Sequence, residues 1–207
     1  MRFVRVLAVL AAVALAGCVE GVTTLGGKPS DFVVVGVFAV AEGAVHLDRS
    51  FGFSLYRGEA GVPPEQRARS VGRAVAFLVT DAIVERLRAR GYDTVSAANS
   101  NPTGTGYRAL IVSGTLRTID EGQRRRVGNE RSAVIAAVEI KAELPNEGTQ
   151  NVQSFSVDSR TAPPTQAESG ATKRETGVDA DATKVGAEIA RIVVEVARRN
   201  NWLPATK

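Results

Sequence analysis

The chain has 207 residues, 44% of them hydrophobic and 23% charged, with 26 Lys and Arg against 22 Asp and Glu. That apolar content excludes a disordered chain, and the length is enough to bury a core. A formal net charge of +4 makes no case for nucleic acid as a partner.

The first element is MRFVRVLAVLAAVALAGC. Arg2 and Arg5 precede an uninterrupted Ala, Val and Leu run over residues 6–15, and the small residues Ala16 and Gly17 stand before Cys18. This is the layout of a secretory signal peptide, with an apolar run too short to span a bilayer of about 30 Å. Leu15-Ala16-Gly17-Cys18 resembles the bacterial lipobox, L-[AS]-[GA]-C. The resemblance implies a diacylglycerol on the Cys18 sulfur, cleavage before Cys18 and acylation of the new amino group. Two or three chains, at roughly 0.8 kcal/mol per buried methylene, make such an anchor stable. Cys18 is the one cysteine of the chain, so no disulfide framework is expected and the covalent lipid is the expected attachment. Removal of residues 1–17 takes Arg2 and Arg5 with it and no acid, leaving 24 cations against 22 acids, a net charge of +2. Val19 follows the cysteine where an inner-membrane lipoprotein typically carries aspartate. Delivery to the outer membrane, facing the periplasm, is therefore expected.

Residues 18–30, rich in glycine and small polar residues, read as a flexible tether. Asp31 to Val40, DFVVVGVFAV, reads as a buried strand. Residues 41–64 carry four glycines and two prolines and read mostly as loop, with room for a short strand at Phe51 to Tyr56. Glu65 to Arg90 is the clearest helix, with Val71, Val75, Leu78, Val79, Ala82, Ile83 and Leu87 on one stripe. Gly91 stands where a left-handed C-terminal cap belongs. A strand over Tyr92 to Ser96, a loop over 97–106 and three further strands follow: Tyr107 to Ile119, Ser132 to Leu144 and Asn151 to Asp158. Their short connections predict an antiparallel meander. Residues 159–177 read as an exposed loop. Val178 to Asn200 is a second amphipathic helix, with Val185, Ile189, Ile192, Val193 and Val196 on one face, and Trp202 is expected to dock on the core. The whole predicts one α+β domain over residues 31–204, with two amphipathic helices on a mixed, mostly antiparallel sheet.

Chemistry-bearing motifs are few. Gly104-Thr105-Gly106-Tyr107-Arg108-Ala109 spells G-x-G-x-x-A, but it follows a loop and opens a strand, so it reads as a turn rather than a dinucleotide site. His46, the one histidine, lies two residues before Asp48, with Ser50 and Ser54 beyond. No nucleophile elbow or carboxylate order fits them, and a surface histidine is the plainer reading. No catalytic, cofactor or metal site is expected. The densest polar run is Asp120-Glu121-Gly122-Gln123-Arg124-Arg125-Arg126, and Arg131 follows in the same connection. Those arginines suit a grip on phosphate, lipid head groups or an acidic protein face. The alternative is a solvated turn whose arginines pair with Asp120, Glu121 and Glu130. Strand alternation would also send Arg125 away from Arg124 and Arg126.

Residues 31 to about 200 resemble the bacterial lipoproteins grouped as domain of unknown function 4410. The likeness rests on the VVVGVFAV strand, Leu47-Asp48-Arg49, Gly72-Arg73-Ala74-Val75, Leu87 with Gly91, and LIVSGTLRTIDEGQRRR from Leu110 to Arg126. It implies an envelope lipoprotein and no particular activity. The resulting expectation is a lipid-anchored, non-catalytic module that docks an envelope partner or self-assembles. The alternatives are an envelope hydrolase using His46, Asp48 and a serine, or a periplasmic small-ligand carrier with a pocket between helix 65–90 and the sheet.

Overall fold

The computed structural model describes residues 32–48, 62–98, 108–122, 131–145, 147–163, 177–200 and 202. Residues 1–31, the strand expected at Phe51 to Tyr56 and the turn at Gly104 to Gly106 lie outside that set.

The chain begins with β1 (Phe32–Gly36), a Val-rich strand hydrogen-bonded on both edges. Such a strand is buried on both sides, which accounts for its unbroken apolar run. The strand expected over 31–40 is broken after Gly36. Phe38 turns into the core at 2% exposure, and β2 (Ala39–Val40) resumes the ladder. The region expected to be loop holds a further short strand, β3 (Val45–His46). Helix α1 (Pro64–Ala89) crosses back over the sheet to β4 (Thr94–Ala97), and Gly91 ends the turn after the helix at φ 84°. Then come β5 (Ala109–Asp120), β6 (Ala133–Leu144), β7 (Gly148–Asp158) and helix α2 (Val178–Arg199).

The strands form one sheet in the order β4-β1-β5-β6-β7, with β2 and β3 also paired to β5. This is the expected single α+β layer pair. The sheet is mixed, however, and not mostly antiparallel in its pairings: four of the six ladders are parallel. The reason is the α1 crossover, which returns the chain to the end it left and sets β4 parallel to β1. Only the β5–β6–β7 meander is antiparallel.

Strand β5 organises the sheet. Its residues 109–112, 115–116 and 119–120 pair in turn with β1, β2 and β3, while its other edge runs against β6 from Ala109↔Glu143 to Asp120↔Ala133. A bulge between Leu116 and Thr118 shifts the alternation. Leu110, Val112 and Leu116 face the helices before it, and Ile119 does so after it. Gly114 is required at its place in this strand. A Cβ there would lie 2.4 Å from the Phe38 ring and 2.5 Å from the Ala137 carbonyl oxygen.

Both helices pack on the same face. The α1 stripe buries Val75, Val79, Ala82, Ile83 and Leu87, with Val71 and Leu78 partly covered. The α2 face buries Val185, Ile189, Val193 and Val196. Gly186 lets the two helices touch, since a Cβ there would sit 2.7 Å from both the Ala82 Cβ and the Val79 carbonyl oxygen. Trp202 docks as expected, 4% exposed, with its backbone N–H donating to Ala197 O at 2.7 Å.

Candidate functional site

The arginine-bearing connection runs from the end of β5 to the start of β6. Arg124, Arg125 and Arg126 lie outside the described residues, as do Cys18, Ser50 and Ser54. Both ends of the connection are described, and each is fastened to a different helix.

At the incoming end the β5 bulge puts Glu121 on the same side as Ile119, inward, at 6% exposure. Its Oε2 accepts the Arg67 guanidinium at 2.6 Å and the backbone N–H of Asp48 at 2.9 Å. Its own N–H donates to the His46 carbonyl at 3.0 Å. One carboxylate thus ties the end of β5 to the first turn of α1 and to the stretch after β3. Next to it, Asp120 Oδ1 accepts the N–H of Gly122 at 2.8 Å, closing a turn in which Gly122 has φ 69°. At the outgoing end Ser132 Oγ donates to Asp181 Oδ2 in the first turn of α2 at 2.5 Å. Arg131, just before it, is exposed.

Glu121 therefore does not serve simply as a counter-ion on a solvated turn, as the sequence suggested it could. Its inward role follows from the bulge, which is visible in the spacing. Apolar side chains recur at 110, 112 and 116, then at 119, three residues on. Arg67 gives no comparable signal, because nothing local distinguishes it from the other arginines of α1.

His46 is exposed, whereas Asp48 is buried at 2%. The backbone of this stretch is held by β5 and Glu121. Among the described residues no group of three or more His, Cys, Asp and Glu side chains is placed to hold a metal ion. Among the same residues no helix is long and apolar enough to cross a membrane.

At the end of β7 the Asp158 carboxyl is held below its usual range, chiefly by the hydrogen bond from Arg160, whose guanidinium is raised in turn. The Arg160 Nη2 lies 2.7 Å from Asp158 Oδ2. Buried Tyr92, after α1, has its phenol raised by desolvation, with Arg198 and Arg90 pulling it back.

Two concavities flank this frame. A groove of about 750 Å³ lies between α1 and the turn joining β2 and β3, lined by Val40 to Val45, Gln66, Ala68, Arg69, Gly72 and Arg73. On the sheet face opposite the helices, an open basin of about 880 Å³ is lined by Ser113, Thr115, Arg117, Ala137, Glu139, Lys141, Ser154 and Ser156, among others.

No family model and no curated protein matches the chain. Among solved structures it is similar to a neuraminyllactose-binding hemagglutinin homolog from Helicobacter pylori, at 12% identity and a TM-score of 0.37, covering 86% of this chain and 93% of that one. A hypothetical protein from Chlamydia trachomatis is similar at 11% identity and a TM-score of 0.29, covering 84% and 99%. Both likenesses are distant.

Proposed function

We propose that the protein is a lipid-anchored envelope module, tethered through Cys18, that docks a partner through the connection bearing Arg124, Arg125, Arg126 and Arg131. The observation that carries this reading is the fastening of both ends of that connection, to α1 through Glu121–Arg67 and to α2 through Ser132–Asp181. A recognition loop on a rigid scaffold presents its side chains with less ordering cost on binding. The two acids at its start support the reading as well. Glu121 is turned inward and Asp120 caps the Gly122 amide, so both are committed to the scaffold. Arginine offers a planar fork of donors to carboxylate or phosphate and is enriched at interface hot spots.

The lipid on Cys18 and the outer-membrane location rest on the lipobox and on Val19. Residues 18–30 give the domain reach from the surface that holds it. In this reading the domain works by binding, with no cofactor beyond the covalent lipid.

The test is charge reversal, Arg124→Glu with Arg126→Glu, followed by chemical cross-linking in intact cells. Losing a desolvated interfacial arginine costs about 2 kcal/mol or more of binding, roughly thirtyfold. An exposed ion pair is worth only about 0–1 kcal/mol to the fold. The variant should therefore be exported, acylated and as stable as the wild type, yet lose its cross-linked partner. Unchanged cross-linking at unchanged stability would show a solvated turn.

A further inference from the structure

The groove beside α1 has a mostly apolar lining. Its apolar lining is Val40, Ala41, Ala44 and Val45 from the β2–β3 segment with Ala68 and Gly72 from α1, and Val40 keeps 37% of its surface exposed. Its volume of about 750 Å³ falls in the range of about 300–1,000 Å³ in which small molecules are bound. Two cations stand on one wall. Arg69 and Arg73 are one helical turn apart on α1, both are exposed, and neither carries an ion pair among the described residues. The neighbouring Arg67, by contrast, is taken up by Glu121. The one carboxylate among the described lining residues, Glu42, is exposed in the turn joining β2 and β3, on the wall opposite the helix.

We infer that this groove binds a single-chain amphiphile with an anionic head, the acyl chain along the Val and Ala lining and the head against Arg69 and Arg73. The apolar lining supplies non-directional affinity, and a few polar groups fix orientation, which is the usual division in such sites. Paired arginines suit a carboxylate or phosphate, because each offers a fork of donors. The inference does not rest on the reading of the arginine connection between β5 and β6.

The experiment uses the full chain in its membrane and a diazirine-bearing palmitate, with labelled residues mapped by mass spectrometry. The comparison probe is the diazirine alcohol of the same chain length. The palmitate should mark residues 40–45 and 66–73, and the alcohol should mark them about tenfold less. Tenfold corresponds to about 1.4 kcal/mol. Arg69→Gln with Arg73→Gln should bring the palmitate down to the level of the alcohol. Glu42→Gln should leave palmitate labelling unchanged or raise it. Ala68→Trp should fill the groove and abolish labelling by both probes. Should that variant fail to fold, the two probes on the wild type and the arginine pair still decide the matter. Equal labelling by acid and alcohol would overturn the inference. So would labelling only at other residues, or labelling of the groove solely by a diazirine phosphatidylglycerol in the bilayer.

Discussion

Replacing Glu121 by alanine removes one oxygen that accepts two hydrogen bonds, from Arg67 at 2.6 Å and from the Asp48 amide at 2.9 Å. The Glu121 side chain is 5% exposed and that of Arg67 16%. A hydrogen bond to a charged group contributes about 1.5–3 kcal/mol, so two would sum to about 3–6 kcal/mol at full burial. Arg67 still reaches some water and can rehydrate, which discounts its share. We expect Glu121→Ala to cost about 3 kcal/mol, or about 6–12 °C of melting temperature in a domain of this size. Glu121→Gln keeps the shape and an acceptor for the amide while losing the charge, and should cost about 1 kcal/mol.

A double-mutant cycle separates the ion pair from the rest. Arg67→Ala, Glu121→Ala and the double variant are unfolded in urea, with unchanged m-values as the check that only stability has moved. The coupling energy should be about 1.5 kcal/mol, above the ceiling of about 1 kcal/mol for exposed pairs. A coupling below about 0.5 kcal/mol would refute the reasoning, because the contact would then be no firmer than a surface pair. The same variants link stability to recognition. Loosening this end of the connection should weaken partner capture even though no arginine of the connection has been changed.

Gly114→Ala forces a Cβ to within 2.4 Å of the Phe38 ring and 2.5 Å of the Ala137 carbonyl oxygen, and should cost about 2–3 kcal/mol in urea unfolding. Phe38→Leu on the Gly114→Ala background should be cheaper than the two costs added, since the smaller side chain frees the space; strict additivity would show that the ring is not what excludes the Cβ. The Tyr92 phenol is raised above 10.0 by burial, so the folded state favours its protonated form. That contribution is complete below about pH 10 and is lost as pH rises further, because the unfolded phenol ionises first. Tyr92→Phe should flatten the alkaline fall in stability, and an unaltered alkaline slope would contradict the assignment. Metabolic labelling with a fatty-acid analogue should tag the wild type and not Cys18→Ala; equal tagging would remove the anchor from the account.

Much of this fold is legible because it is periodic. The stripes on α1 and α2 set both helices to within a residue of where they lie, and the short connections between the last three strands give the meander. The parallel half is less legible. Strands β2 and β3 are two residues each, too short to carry a period, and they exist only because β5 offers them an edge. The turn of Phe38 into the core looks, in sequence, like one more residue of an apolar strand. What betrays it is Gly114, whose missing side chain makes room for the ring. The Glu121 clasp is half legible, since the bulge spacing turns Glu121 inward but its partner comes from a helix 54 residues away in sequence. The groove beside α1 depends on where that helix sits over the β2–β3 turn, which no local pattern records.

The most direct measurement of the central claim is contact itself. A photoreactive amino acid placed at position 125, in the full chain in living cells, reports what touches the connection. The account predicts one dominant adduct with an envelope protein, lost when Arg124 and Arg126 are reversed to glutamate. A chain that is acylated and folded, yet gives no protein adduct or only a spread of minor ones, would contradict it.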